Sequence, residues 1–190
     1  MNIYVSTTFI ADNTPLIEAL ESLQENNIKF VEIGSNHCYE MNYNYLKKFS
    51  FNYIMHNYFP VPKESFVLNI ASFNKDIRKK SIDHIKKAIN FSDENGSKLY
   101  TFHPGFLTDP KGSNNGSQNY DFQWNDSSLK NSNFTNAKTL MYNALDEIIN
   151  YSKTRKTKIA IETEGSIKKS NHLLMQKPQE YKDFMKRFSS

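Results

Sequence analysis

The sequence has little cysteine and no long apolar run, and each absence excludes a class of protein. Cys38 is the one cysteine among 190 residues, so an internal disulfide and a cysteine-ligated metal site are both excluded. No segment approaches the ~20 apolar residues that a membrane-spanning helix needs. The amino terminus lacks the basic and apolar regions of a signal peptide. We therefore expect a cytoplasmic protein without a membrane partner.

Glycine is also sparse, with six residues in the chain. A dinucleotide-binding fold normally has a glycine-rich turn after its first strand, whereas the corresponding turn, residues 8–12, contains none. The net charge is only +4, and the lysines are scattered instead of forming the basic stripe that is typical of nucleic-acid binding. Composition therefore gives little support for a dinucleotide cofactor or a DNA partner.

Short apolar runs alternate with segments of helical periodicity along the whole chain. Strands are predicted at residues 3–7, 29–33, 52–56, 98–103 and 158–162. Helices are predicted near residues 15–25, 41–49, 75–94, 135–153 and 178–188. This order of elements requires an α/β fold with a parallel sheet and right-handed crossovers. Two architectures fit a single domain over residues 1–190, namely an open doubly wound sheet and part of a (β/α)8 barrel.

Three of the predicted strands end in side chains that commonly bind metals, namely His56, His103 and Glu162. The carboxyl ends of parallel strands are where α/β enzymes place their sites. A carboxylate that ends a buried strand is costly unless it is paired or bound to a metal. Two imidazoles and one carboxylate suit Zn²⁺, Mn²⁺ or Fe²⁺ better than Ca²⁺. These residues therefore predict a site for a divalent metal. The alternative for His103 is a core histidine bonded to backbone, and the alternative for His56 is a hydrogen bond with the following Asn57-Tyr58.

Other candidates follow the same strand ends. His37 and Asn57 come after the second and third strands, where they would reach a substrate. Trp124 would stack on a sugar ring, and Lys168 would meet a phosphate or an acidic sugar. The structural alternative for Trp124 is packing of its loop against the barrel, and the alternative for Lys168 is a solvated loop. His84 is interpreted as a residue on a helix surface.

Glu164 lies two residues beyond Glu162. If the strand continues, both carboxylates face the same side of the sheet. They would then share a cation or divide the acid and base roles of a proton transfer. The turn-forming Gly165 favours a loop position for Glu164 instead.

Several segments together resemble the xylose isomerase-like TIM-barrel superfamily, which joins sugar phosphate isomerases and epimerases with type IV apurinic endonucleases. The segments are Val31-Glu32-Ile33-Gly34, His56-Asn57-Tyr58-Phe59-Pro60, Val67-Leu68-Asn69-Ile70-Ala71-Ser72, Phe102-His103-Pro104-Gly105 and Ile161-Glu162-Thr163-Glu164-Gly165-Ser166. The resemblance covers essentially the whole chain and implies a (β/α)8 TIM barrel. A whole barrel typically needs ~250 residues, so we expect only about the first five β/α units here, without strands 6–8.

The resemblance also implies roles for the strand-end residues. In the endonuclease branch, the residues corresponding to His56, His103 and Glu162 bind metal. In the epimerase branch, the residue corresponding to Glu162 is a ligand and often a proton-transfer group. In both branches further ligands come from strands 6–8.

We therefore expect a metal-dependent isomerase or epimerase that acts on a sugar or sugar phosphate. Glu162 or Glu164 would remove a proton from carbon, and the metal would stabilise the resulting enediolate. The alternatives are a type IV-like apurinic endonuclease and a non-catalytic binding module. The near-neutral loop after His103 disfavours DNA, because acidic residues offset its lysines. The exposed edge of an incomplete sheet favours association into a homodimer.

Overall fold

The computed structural model describes residues 2–109, 131–162 and 173–188. Within these ranges, strands and helices alternate along the chain. The strands are β1 Val5–Ser6, β2 Phe30–Ile33, β3 Asn52–His56, β4 Leu99–Phe102 and β5 Lys158–Ile161. The helices are α1 Leu16–Glu25, α2 Lys75–Glu94, α3 Asn131–Ser152 and α4 Pro178–Phe188. Two 3₁₀ helices, Thr7–Phe9 and Asn44–Lys48, follow β1 and β2. The α/β class is confirmed.

All five strands of the described part lie parallel in one sheet, in the order β1-β2-β3-β4-β5. A doubly wound sheet reverses its strand order at a switch point, and no such reversal occurs among these strands. Right-handed crossovers between consecutive parallel strands place α1, α2 and α3 on the same face. The sheet therefore has the connectivity of a barrel, with its helices outside.

The pairing register determines which side chains lie together on the inner face of the sheet, the face turned away from the helices. His56 lies opposite Thr101, and Phe102 lies opposite Ile161. Successive side chains of a strand alternate between faces, and paired residues face the same way. The inner face therefore carries His56 and Thr101, and one residue beyond the ends of β4 and β5 it carries His103 and Glu162.

The outer face of the sheet packs against the helices and forms the core. Fully buried strand residues on this face are Val31, Ile33, Met55, Tyr100 and Phe102. Fully or almost fully buried helix residues are Leu16, Leu20, Ile85, Ile89, Met141, Leu145 and Ile148. Each large apolar side chain contributes ~1.5 to 3 kcal/mol when it is buried. This burial determines which strand side chains face the helices, so the polar side chains of the strands lie on the inner face.

The longest crossover, α2, begins and ends where the sequence predicts. The Asn74 side chain accepts hydrogen bonds from the backbone N–H groups of Asp76 at 2.9 Å and Ile77 at 3.4 Å, as an N-cap residue does. After the helix, Gly96 has a φ of +71°, the left-handed conformation that glycine adopts most easily. The predicted bounds 75–94 are confirmed. No helix in the described ranges is long and apolar enough to cross a membrane.

Three elements differ from the prediction. The first strand spans only Val5–Ser6, and the helix predicted at residues 41–49 is a 3₁₀ helix over Asn44–Lys48. Such short 3₁₀ segments are common as connectors. The third long helix begins at Asn131, four residues before the predicted start. Periodicity is weakest at the ends of elements, because few apolar side chains remain there to define a face.

The prediction that His84 lies on the helix surface is wrong. Its side chain is only 7% exposed and packs against the rings of Tyr58 and Phe66, at 6.4 and 5.7 Å between centroids. The pKa of His84 is lowered to about 4, chiefly by burial. A hydrogen bond with the Tyr58 backbone raises the pKa, whereas the charges of Lys87 and Lys80 lower it. The imidazole is therefore neutral near pH 7.

This buried imidazole predicts a loss of stability in mild acid. As the pH falls below about 6.5, His84 takes up a proton in the unfolded chain but stays neutral in the folded chain until about pH 4. The unfolded state binds more protons in this window, so stability decreases by up to about 3 kcal/mol between those pH values. His84→Gln should remove this part of the pH dependence.

The measurement is the free energy of unfolding in urea at pH 7.5, 5.5 and 4.5 for both proteins. The comparison cancels every other titrating group. The difference between the two curves should change across this window. Parallel curves would show that His84 is not held neutral by the fold.

Candidate metal centre

His56, His103 and Glu162 come together at the carboxyl edge of the sheet. Each offers one donor atom, and these atoms lie within 4.8 Å of one another. The two imidazole rings stand at 86° to each other with their centroids 5.4 Å apart. All three residues are partly buried. The structure thus brings the three predicted ligands to one place, and metal binding by them remains a prediction.

Main-chain hydrogen bonds extend the sheet to these ligands. The backbone N–H of Glu162 donates to the carbonyl of Phe102 at 2.9 Å, and that of Asn57 donates to the carbonyl of Thr101 at 2.6 Å. The candidate ligands therefore lie on or directly beside the last hydrogen-bonded pairs of β3, β4 and β5. Sites on regular elements hold their geometry better than sites on loops.

In the part of the chain that the structure describes, two oxygen atoms lie close to the His56 ring. Its Nδ1 atom lies 2.8 Å from Thr101 Oγ1 and 3.5 Å from Glu162 Oε1. Thr101 is 5% exposed, whereas 39% of the Glu162 side chain is exposed. Thr101 is not among the site residues that the sequence predicts. Its position two residues before His103 in a strand, on the same face, is the signal that could have identified it.

The donor set fits a divalent transition metal. Two atoms that each lie ~2.1 Å from one ion can be at most ~4.2 Å apart. Donors already within 4.8 Å of one another need only small side-chain rotations to meet this limit. Two imidazole nitrogens and a carboxylate oxygen suit Zn²⁺, Mn²⁺ or Fe²⁺. Three protein ligands also leave coordination positions for a substrate.

A buried asparagine joins the loops that follow β3 and β4. Asn69 is fully buried. Its Oδ1 accepts from the backbone N–H groups of Ala71 at 3.1 Å and Phe106 at 3.0 Å. Its Nδ2 donates to the Phe106 carbonyl at 3.1 Å and to Asp109 Oδ1 at 2.8 Å. Both donors and both acceptor positions of the amide are used, so the two loops are fixed to each other beside His103.

The turn after His103 needs a residue without a side chain. Gly105 has a φ of +101°, and a Cβ atom there would lie 2.4 Å from Asn69 Oδ1. Asp109 accepts a further hydrogen bond from Ser72 Oγ at 2.6 Å. The Pro-Gly turn that the sequence shows is therefore held by Asn69. The sequence predicts no separate role for Asn69, which lies within the segment Val67-Leu68-Asn69-Ile70-Ala71-Ser72.

His37 is 2% exposed. Its Nε2 lies 2.7 Å from Thr7 Oγ1, and its Nδ1 lies 3.2 Å from the Thr14 carbonyl. Burial lowers the pKa of His37, and this effect outweighs the hydrogen bond with Thr14 and the charge of Glu40, which both raise it. Both ring nitrogens contact the protein's own groups, so a substrate would have to displace one of these contacts. Substrate binding by His37 remains a prediction.

Asn57 follows His56 directly and has a φ of +51°, a conformation that asparagine adopts more readily than most residues. Its Oδ1 is buried and has no hydrogen-bond partner in the described parts of the chain. Substrate binding by Asn57 remains a prediction. The other predicted site residues, Glu164, Trp124 and Lys168, lie outside the described residues.

The comparisons with known proteins agree with this architecture. The family described as xylose isomerase-like TIM barrel matches residues 16–190. No curated protein matches the chain.

Three similar solved structures carry names of sugar epimerases. A D-tagatose 3-epimerase-like protein is 20% identical, with a TM-score of 0.70 over 100% of this chain and 62% of that one. An L-ribulose 3-epimerase is 11% identical, with a TM-score of 0.64 over 100% and 58%. A D-allulose 3-epimerase from Methylomonas sp., in complex with D-allulose, is 11% identical, with a TM-score of 0.60 over 95% and 56%. The chain spans less than two thirds of these proteins, which confirms a partial barrel.

The hydrogen bonds of Asn69 predict a large loss of stability on their removal. Asn69→Ala would leave buried polar groups of both loops without partners, at a cost of about 1–3 kcal/mol each. We expect the free energy of unfolding in urea to fall by about 3 kcal/mol or more. Asn44→Ala, at an exposed position, is the control and should change it by less than about 0.5 kcal/mol. Equal effects of the two substitutions would contradict the role of Asn69.

Proposed function

Because the chain belongs to the xylose isomerase-like TIM barrel family, we propose that it acts as a metal-dependent isomerase or epimerase on a sugar or sugar phosphate. The observation that carries this proposal is the meeting of His56, His103 and Glu162 at the carboxyl edge of the parallel sheet. The three epimerases with similar folds support the choice of substrate class.

Glu162 is the candidate proton-transfer group. Its side chain is 39% exposed, so a substrate at the edge of the sheet can reach the carboxylate. A positioned carboxylate can remove a proton from the carbon next to a carbonyl and return it to the same or a neighbouring carbon. The carboxylate lies beside the end of β3, with Oε1 at 3.5 Å from His56 Nδ1. Glu164 is the alternative base.

His56 and His103 are proposed to hold the cation together with Glu162. A bound divalent ion would polarise the substrate carbonyl and stabilise negative charge on its oxygen as the proton leaves. The partial exposure of all three residues keeps the site open to a sugar. Asn57 and His37, together with Trp124 and Lys168, are the proposed substrate-binding residues.

Phosphodiester hydrolysis, as in a type IV apurinic endonuclease, is the second candidate. The specific observation in its favour is that both histidines join the glutamate, because the sequence resemblance implies this ligand set for the endonuclease branch. The sugar reaction is preferred, since the sequence lacks the basic stripe expected beside a DNA-binding site. A third candidate, a non-catalytic binding module, predicts that no metal binds.

We expect the purified protein to bind about one divalent ion per chain at pH 7.5. His103→Ala and Glu162→Gln should each weaken binding by about 100-fold or more, since the first removes a ligand and the second removes the negative charge of one. Glu94→Gln is the control, because Glu94 ends α2 at the opposite edge of the sheet. Chelator competition followed by metal analysis measures the affinities. Absence of metal from the wild-type protein would contradict both enzymatic proposals.

The reaction itself is tested with a panel of ketoses and aldoses, free and phosphorylated, in deuterium oxide. Proton removal from carbon predicts incorporation of solvent deuterium into substrate and product. Glu162→Gln should reduce the rate of incorporation by about 10²- to 10⁴-fold, and Glu94→Gln should leave it unchanged. DNA with an abasic site is tested in parallel. Cleavage of this DNA without any sugar turnover would contradict the preferred reaction and support the second.

A further inference from the structure

Thr101 lies between the two candidate histidine ligands. It faces His56 across the β3–β4 pair and precedes His103 by two residues on the same strand. Its hydroxyl lies 2.8 Å from His56 Nδ1, and its carbonyl accepts the backbone N–H of Asn57 at 2.6 Å. Thr101 therefore contacts the end of β3 with both its side chain and its main chain.

The other neighbour of Thr101 across the sheet offers no polar side chain. In β5 the residue opposite Thr101 is Ala160, whose methyl group cannot hydrogen-bond. Thr101 itself is 5% exposed, so water has little access to the hydroxyl. A buried hydroxyl needs a hydrogen-bond partner, and His56 Nδ1 lies within reach of it. The same nitrogen also lies near a carboxylate oxygen of Glu162, which is an acceptor, and this favours an N–H on Nδ1 that donates to the hydroxyl.

Among the described residues, His56 Nδ1 has two oxygen neighbours at different distances. Thr101 Oγ1 lies at 2.8 Å, within the normal range for a hydrogen bond, whereas Glu162 Oε1 lies at 3.5 Å, beyond that range. Glu162 is also a candidate metal ligand, and a carboxylate oxygen that accepts an imidazole N–H is less available to a cation. A hydroxyl that accepts the same N–H leaves the carboxylate available.

We propose that Thr101 is a positioning residue that holds the hydrogen of His56 on Nδ1, so that Nε2 is directed to the cation and Glu162 remains available as a second ligand. This inference rests on the metal site of the proposed function. Metal-binding histidines generally donate their other ring N–H to an oxygen atom, which fixes the tautomer and ring orientation. Loss of such a partner typically weakens metal binding 10- to 100-fold.

Two substitutions separate the hydroxyl from the shape of the side chain. Thr101→Val replaces the hydroxyl with a methyl group and keeps the branched side chain that suits a strand. Thr101→Ser keeps the hydroxyl and removes the methyl group. We expect Thr101→Val to weaken Zn²⁺ and Mn²⁺ binding about 10- to 100-fold at pH 7.5. Thr101→Ser should stay within about threefold of the wild type, measured by competition with a chelator.

A purely structural role for Thr101 makes a different prediction. The urea unfolding midpoint of the metal-free protein would then fall, while metal affinity would stay unchanged. Equal affinities of the wild-type and Thr101→Val proteins would overturn the inference and leave the proposed metal site intact. A wild-type protein that binds neither metal would overturn the proposed site and this inference together.

Nitrogen-15 NMR of the Zn²⁺-loaded wild-type protein tests the tautomer without any substitution. We expect the His56 ring to carry its hydrogen on Nδ1 and to be bound through Nε2. Binding of Zn²⁺ through Nδ1 would overturn the inference. This measurement decides the question even where Thr101→Val does not fold.

Discussion

The candidate site depends on the register between β3, β4 and β5. Pairing of Phe102 with Ile161 places His103 beside Glu162 at the next position, and pairing of His56 with Thr101 completes the inner face. A slip of one residue would turn the affected side chains to the outer face. That face is filled by completely buried apolar residues such as Met55 and Phe102. Core packing on the outer face thus determines which side chains stand together on the inner face.

The loops beyond the strands are fixed by polar contacts. Asn69 uses every hydrogen-bonding position of its side chain to connect the loop after β3 to the loop after β4. Gly105 allows this contact because it has no Cβ atom, which would lie too close to Asn69. The positions of the two candidate histidines are therefore held both by the strands that they end and by the two loops that Asn69 joins.

Local patterns predicted the features that depend on local structure. Strand ends, and therefore His56, His103 and Glu162, follow from apolar runs bounded by turn residues, and α2 follows from its helical periodicity. The surface position predicted for His84 is wrong because its contacts with Tyr58 and Phe66 are tertiary. Thr101 and Asn69 act on partners 45 and 37 residues away, and periodicity carries no information about such pairings.

The central claim is that these strand ends form one metal site, and X-ray absorption spectroscopy of the Zn²⁺-loaded protein tests it most directly. The account predicts nitrogen and oxygen neighbours at about 2.0 to 2.2 Å, with the multiple-scattering pattern of two imidazoles that is reduced to one in His103→Ala. A spectrum without imidazole scattering, or one that His103→Ala leaves unchanged, would contradict it.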